Sequence, residues 1–442
     1  MKNNHPNTLL GGGLYALLLV GTLVGSPVTQ AKVSDIVSDG ERAAELLVQL
    51  RSPAALVPLL SKYPLTVLNQ FGARPIYRLH VTSGADTQST IAALQTEIDV
   101  IHAEPNFTHQ SPEARKISSW AIGAETAYTA QWAPQALRLA HAQQISTGAG
   151  MRVAVLDTGV DALHPALAGK LLPGFDFVDF DTNAAEVGDH TTNINFGHGT
   201  HVAGLVALVA PSAKIMPLRV LDSNGQGNVW VLAEAMLYAI DPDHNPATDD
   251  GAHVINISLG STKRTHILDT VAKLATCALA PAVTDPLDDL ADPAYDQDRN
   301  RCNAFNGAVV VVAAGNDASA DVRQYPAAEG VYGLIAVTAS NVSNRIASFS
   351  NTGQWIHVAA PGEGITSTVP GGGFGTWSGT SMAAPLTAGT AALVRATNPD
   401  MTAKDIARRI ARASANLCGT KLRQVDAVAA ITNVMPADRV CR

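Results

Sequence analysis

The chain has 442 residues, enough for two or three domains. Apolar residues make up 46% and charged residues 15%, which supplies a large core and excludes an intrinsically disordered chain. The formal net charge of −8 excludes the basic footprint of a nucleic-acid binder.

At the start, Lys2 precedes a mostly apolar stretch over residues 9–24, and Thr29, Gln30 and Ala31 follow it. This pattern predicts an export signal over residues 1–31 that is cleaved as the protein is secreted or enters the periplasm. The apolar run falls short of the roughly 20 residues a membrane span needs, so no anchor is expected after cleavage. Residues 32–113 read as a small α+β unit, with strands at 45–50 and 76–81. A helix over 87–98 places Ile91, Leu94 and Ile98 on one face. Residues 108–116 are polar, contain Pro112, and read as an exposed, cleavable linker.

From Met151 the pattern changes. Apolar, β-rich runs at 152–156, 214–221, 253–259, 308–314, 334–339 and 355–360 lack in/out alternation, as expected of strands buried on both faces. Helical spacing at 228–240 (Val229, Leu232, Ala233, Met236, Ile240) separates two of them. Thr402 and Asp405 form a capping pair for a helix over 403–413. The alternation predicts a doubly wound, mainly parallel α/β sheet with helices on both faces. Two polar segments, 241–250 and 280–301, interrupt it. The second is rich in Asp but lacks ordered calcium-loop spacing, and reads as a solvated loop. The four cysteines allow three pairings. In an exported chain the expected pairs are the local ones, Cys277–Cys302 and Cys418–Cys441. With no CxxC pair, a zinc site is not expected.

Three motifs carry chemistry. An apolar strand ends in Asp157-Thr158-Gly159, and groups at strand carboxyl ends are where open α/β sheets place their sites. His198 sits between glycines in Gly197-His198-Gly199-Thr200-His201, ahead of an apolar helical run. The HExxH pattern is absent, so His201 reads as a packed helix residue rather than half of a metal pair. Ser381 lies in Gly379-Thr380-Ser381-Met382-Ala383-Ala384-Pro385. Because Pro385 is tolerated only near a helix start, Ser381 is close to an N-terminus whose dipole favours developing negative charge. The esterase pattern GxSxG does not fit.

Taken together, the Asp–His–Ser order and the strings around His198 and Ser381 resemble the subtilisin-like serine protease family over roughly residues 131–413. The resemblance implies that Ser381 attacks the peptide carbonyl, His198 is the base and then the acid, and Asp157 orients His198. Asn316, after the strand ending at Ala314-Gly315, would supply an oxyanion donor beside the Ser381 N–H. Gly225, Gln226 and Gly227, and Ser258, Leu259 and Gly260, match the two extended segments that flank a substrate, with Ala314 and Gly315 beside them. Gln324, before Tyr325-Pro326, matches a position on the floor of the primary specificity pocket that is often small. With Asp317 at the rim, it implies a shallower, more polar pocket.

Residues 32–113 are similar to the family's inhibitory propeptide, through Ala103-Glu104-Pro105-Asn106, and residues 114–442 would be the peptidase domain. Self-cleavage is expected between about residues 108 and 116. The implied protein is a secreted or periplasmic serine endopeptidase, made as a zymogen, acting on polypeptides and inhibited by its own propeptide. It is expected to be monomeric, without nucleic-acid partner or lasting membrane anchor. It needs no cofactor and no catalytic metal. A structural calcium is compatible with the sequence, but Gly204 runs straight through to Pro211 without the family's main calcium loop. The alternative is a catalytically inactive, peptide-binding relative.

Overall fold

The computed structural model describes residues 40–82, 84–112, 124–245, 247–278, 295–438 and 441. The expected export signal, most of the Asp-rich 280–301 segment and residues 113–116 of the expected cleavage region lie outside the described residues.

The N-terminal unit runs β1 (Glu41–Leu50), α1 (Leu56–Lys62), β2 (Leu65–Gln70), β3 (Ile76–Val81), α2 (Thr87–Leu94) and β4 (Val100–Gln110). Its strands pair antiparallel in the order β2-β3-β1-β4. Asp86 caps α2 by accepting the Ser89 N–H. The helix stops at Leu94, four residues short of the sequence expectation. Ile91 and Leu94 are buried, but Ile98 is 82% exposed, so the apolar period overran the helix.

Three short helices follow, α3 (Glu125–Thr129), α4 (Trp132–Ala136) and α5 (Leu139–Ile145). The main sheet and its helices then run β5 (Arg152–Asp157), β6 (Phe175–Asp176), α6 (His198–Val209), β7 (Lys214–Arg219), β8 (Gln226–Asn228), α7 (Val229–Ile240), β9 (Val254–Ile257), α8 (His266–Thr276), α9 (Tyr295–Phe305), β10 (Val309–Ala313), β11 (Leu334–Ser340) and β12 (Val358–Pro361). A hairpin, β13 (Ile365–Val369) and β14 (Gly373–Trp377), leads into α10 (Thr380–Thr397). The chain closes with α11 (Ala403–Arg412), β15 (Ala415–Asn416), β16 (Arg423–Gln424) and α12 (Ala427–Thr432).

Nine strands form one sheet in the order β15-β16-β12-β11-β10-β9-β5-β7-β6, all parallel except the β15–β16 pair. This is the expected doubly wound architecture. Alternate residues of one strand serve two cores. Val153 and Val155 join Val309 and Val311 under α6 and α10, while Ala154 and Leu156 join Val310 and Val312 under α7 and α8. Every one is essentially inaccessible, which is why these strands read as unbroken apolar runs. Asn228 caps α7 by accepting the Val231 N–H, and Thr402 caps α11 by accepting the Asp405 N–H. Both predicted cysteine pairs are bonded, Cys277–Cys302 and Cys418–Cys441.

The N-terminal unit docks on α7 and α8. Leu47, Phe71 and Ile76 join the core beneath these helices, and the Phe71 ring meets Trp230 edge-on at 5.9 Å. The Ala103-Glu104-Pro105-Asn106 string has a local physical explanation. Glu104 and Asn106 are two apart on β4 and so share a face. The Glu104 carboxylate accepts the N–H groups of His266 (2.7 Å) and Ile267 (3.1 Å) at the start of α8, and Asn106 Oδ1 accepts the Trp230 N–H at the start of α7. One strand thus satisfies orphan donors of two helices and places negative charge at a positive helix end.

Candidate active site

Asp157 is the last residue of β5, and its neighbours Thr158 and Gly159 make the turn that follows. His198 is the first residue of α6, the helix that packs on β5. Its Nδ1 donates to Asp157 Oδ1 at 2.6 Å, with both side chains fully enclosed. The Thr158 N–H also donates to Asp157 Oδ1, at 2.8 Å. His201 has the packing role expected of it: the ring stacks on Trp377 at 5.0 Å, and Nε2 lies 3.2 Å from the carbonyls of Ile365 and Gly375. Trp377 also covers His198, at 5.5 Å between ring centres.

Ser381 is the second residue of α10, which packs against α6 and β10. In this state its hydroxyl donates to the Ser258 carbonyl at 3.1 Å, and the Ser258 hydroxyl donates to the Ser381 carbonyl at the same distance. Asn316 follows β10. Its Oδ1 accepts the Thr380 N–H (2.9 Å) and the Thr380 hydroxyl (3.0 Å), and Thr380 Oγ1 accepts the Gly315 N–H. Because an amide is planar, holding Oδ1 fixes the direction of the Nδ2 donor. Sequence reasoning did not single out Thr380, although it stands beside Ser381 in the same string.

The two extended segments form a cleft, and the chain itself occupies it. Residues 108–110 of β4 pair antiparallel with β8: Thr108 faces Asn228, His109 faces Gly227 and Gln110 faces Gln226. On the other side Gln110 exchanges both backbone hydrogen bonds with Gly260, each 3.1 Å, and the Ser111 N–H reaches the Gly225 carbonyl at 3.0 Å. The start of the expected linker is therefore not exposed. His109 and Ser111 are buried, because backbone groups that would otherwise face water find partners in the cleft. Burial pushes the His109 ring down to about 4, and the Asn228 backbone offsets only part of that.

Pro112, Asn316, Asp317, Gln324, Gly260 and Ser261 line a cavity at the end of this segment. Gln324 bridges its walls. A Cβ on Gly315 would lie 2.7 Å from Gln324 Cγ, and one on Gly260 would lie 3.1 Å from Gln324 Oε1. The Asp317 carboxylate accepts from Gln324 Nε2 (3.1 Å) and Asn351 Nδ2 (3.0 Å). Ala314, Gly315 and Leu259 are buried: the Ala314 N–H reaches the Val337 carbonyl and its own carbonyl accepts from Asn351.

Away from the cleft, the carboxylates of Asp241, Asp243 and Asp250 have oxygens within 4.8 Å of one another, the one acidic group of three found among the described residues. The buried Arg301 faces Asp241 and Asp250 and supplies positive charge there. Among the described residues no helix is long and apolar enough to cross a membrane.

Comparison with known proteins follows the same lines. A family model for the subtilase family (Peptidase_S8) matches residues 148–430. The chain is 34% identical over 329 residues to the thermophilic serine proteinase of Bacillus sp. (strain AK1), covering 72% of this chain and 68% of that one. It is 35% identical over 274 residues to thermitase of Thermoactinomyces vulgaris, covering 60% and 81%. Among solved structures, fervidolysin from Fervidobacterium pennivorans, described as a keratinolytic enzyme related to subtilisin, matches 91% of this chain. Its TM-score is 0.67 at 22% identity, and the chain spans 63% of its length. The chain belongs to the subtilase family of serine endopeptidases.

Proposed function

We propose that Asp157, His198 and Ser381 form the catalytic triad of a secreted or periplasmic endopeptidase, made as a zymogen. The observation that carries the reading is the enclosed Asp157–His198 pair at 2.6 Å, with His198 opening the helix that packs against α10, whose second residue is Ser381. A serine hydroxyl is a weak nucleophile at neutral pH and needs such a base. The Ser381 hydroxyl gives up its proton to His198 Nε2 and attacks the peptide carbonyl. His198 becomes imidazolium, stabilised by the Asp157 carboxylate, which itself stays ionised. Negative charge on the former carbonyl oxygen meets Asn316 Nδ2 and the Ser381 N–H at the start of α10. His198 then protonates the leaving amine, leaving an ester on Ser381. Water, deprotonated by the same imidazole, releases the acid and restores the serine.

Residues 32–113 are the inhibitory propeptide in this reading. Its end lies in the cleft in the backbone register an extended substrate would use. Gln110 and Ser111 hold their hydrogen bonds inside the cleft, so the cut falls beyond Ser111, and sequencing the mature N-terminus tests this. Export, a monomeric state, polypeptide substrates selected by pockets, and independence of cofactors complete the proposal. Because the chain runs straight from Gly204 to Pro211, activity is expected to persist after chelation, and rapid inactivation by a chelator would count against this.

The test is a fluorophosphonate probe followed by peptide mapping. Label is expected on Ser381, and a Ser381→Ala protein is expected to stay unprocessed and to lose about 10⁶ in kcat, the loss seen when a subtilisin's serine is removed. An unlabelled wild-type chain that does not cleave peptides supports the inactive, peptide-binding alternative.

A further inference from the structure

The helix that carries His198 begins without a cap of its own. Its cap position is Gly197, which has no side chain to accept a donor. The task falls to Glu186, twelve residues upstream on the loop before the helix. Glu186 Oε2 accepts the Gly197 N–H at 3.1 Å. Oε1 accepts the Thr200 N–H and the Thr200 hydroxyl, each at 2.9 Å. The same hydroxyl accepts the Asp161 N–H at 2.9 Å, which ties in the turn after Asp157.

Three segments are in close contact here. A Cβ on Gly159 would lie 2.5 Å from the Ala185 carbonyl oxygen and 2.8 Å from the Glu186 nitrogen. A Cβ on Gly199 would lie 2.1 Å from the Gly159 carbonyl oxygen and 3.0 Å from Asp157 Cβ. The Val160 N–H also reaches the Ala184 carbonyl, at 2.9 Å, and the Gly199 N–H reaches the Thr158 hydroxyl, at 2.9 Å. The loop bearing Glu186, the turn bearing Asp157 and the first turn bearing His198 therefore form one unit. At its centre a single carboxylate answers two of the helix's orphan N–H groups.

We propose that Glu186 is a positioning residue for catalysis, its carboxylate holding the first turn of α6 on the Asp157 turn so that the His198 imidazole stays seated on Asp157. This deepens the triad reading and rests on it. The charge has a second consequence. Asp157 is the ionisable group facing Glu186 from the β5 turn, and His198 stands just beyond it on α6. The other contacts from both elements are backbone N–H groups and the hydroxyls of Thr158 and Thr200. Burial and the Asp157 charge push Glu186 up to about 7, against the downward pull of the Thr200 and Gly197 N–H groups. Its ionisation state therefore sets a charge beside the Asp157–His198 pair. An ionised Glu186 favours the imidazolium and draws the acid limb of the rate profile upward.

The experiment compares mature wild type, Glu186→Gln and Glu186→Ala, with Ser381→Ala as control. Sites are counted by active-site titration, and kcat and KM are measured from pH 5 to 9. Gln keeps one acceptor and the shape but not the charge, so about half of the capping survives. The expected order of kcat per titrated site is wild type, then Gln down severalfold, then Ala down tenfold or more, with KM within threefold. The acid limb in both variants moves to lower pH by several tenths of a unit or more. A merely structural role lowers melting temperature and the count of titratable sites but leaves kcat per site and the acid limb where they were. Finding both within twofold and 0.2 unit in the Gln variant overturns the proposal. An active Ser381→Ala control would instead overturn the triad reading, so the two failures are distinguishable.

Discussion

Replacing Asn316 tests the proposed oxyanion site once kcat is referred to folded, titrated sites. Asn316 Oδ1 is fixed by the N–H and hydroxyl of Thr380, so the opposite end of the amide is a donor of set direction. Asn316→Leu keeps the volume and removes that donor. It also strands the two Thr380 donors, at a cost to folding of about 1–3 kcal/mol each at most. Asn316→Asp keeps an oxygen for Thr380 but sets a second, negatively charged oxygen where the donor was. The Asp variant should therefore be the more stable and the less active of the two. Loss of one such donor is worth about 3–4 kcal/mol, or 10²–10³ in kcat, the magnitude known for the equivalent subtilisin amide. The donor acts on charge that develops only in the transition state, so KM should stay within about threefold. The assay is turnover of a chromogenic peptide, with kcat referred to sites titrated by a fluorophosphonate. A kcat within tenfold of wild type in both variants, or a loss carried entirely by KM, would refute the reasoning.

Further expectations follow from other parts of the cleft. His109 is held near 4 when docked, against about 6.5 when free, so the docked form binds fewer protons between those values. Docking is therefore at full strength above pH 6.5 and weakens by up to tenfold per unit as pH falls toward 4. The dissociation constant of the cut but still associated propeptide should show this slope, and His109→Leu should flatten it; an unchanged slope would count against the histidine. Gln324→Gly should open the space between Gly260 and Gly315, and burying an aromatic ring there is worth about 1.5–3 kcal/mol. A peptide library should show the parent disfavouring Phe and Tyr before the cut and the variant gaining at least tenfold on them. A parent profile dominated by those residues would be the contrary result. Opening the Cys277–Cys302 loop, 25 residues apart, by Ser substitution should cost about 3 kcal/mol, read as a lower denaturant midpoint.

What the sequence made legible was what is local. The β5 and β10 runs, the helical spacing over 228–240, the Thr402 cap and the three short motifs are each local signals, and the structure has elements at all of them. The misreadings concern ends and partners. Ile98 matched the helical period but lies beyond the α2 terminus, because periodicity carries no stop signal. Residues 108–111 read as exposed because polarity suggests solvent, whereas they pair with β8 and with Gly225 and Gly260, more than a hundred residues away. Glu186 is invisible in the same way: it caps a helix from twelve positions upstream across an irregular loop, and no spacing rule connects it to Gly197 and Thr200. Thr380 was within reach. It stands beside Ser381 in the same string, and its hydroxyl and N–H both donate to the Asn316 amide oxygen, 64 residues away in sequence.

On the zymogen reading, the cleft would tie maturation to specificity by one piece of geometry. β8 is three residues long, and β4 is its strand partner. An edge of this kind offers unpaired backbone groups to any extended chain, which is a liability in a folding intermediate and a requirement in a peptidase. Covering it with the chain's own residues 108–111 answers the liability, and on the zymogen reading, removing them exposes the groups a substrate needs. Inhibitor and substrate then compete for the same backbone hydrogen bonds and cannot be told apart by them. Discrimination must come from side chains at the fixed points of the register: whatever replaces His109 against Gly227, and whatever enters the space beside Gln324. On this reading backbone pairing would set how strongly any extended chain is held, and these two positions would set which chain is cut.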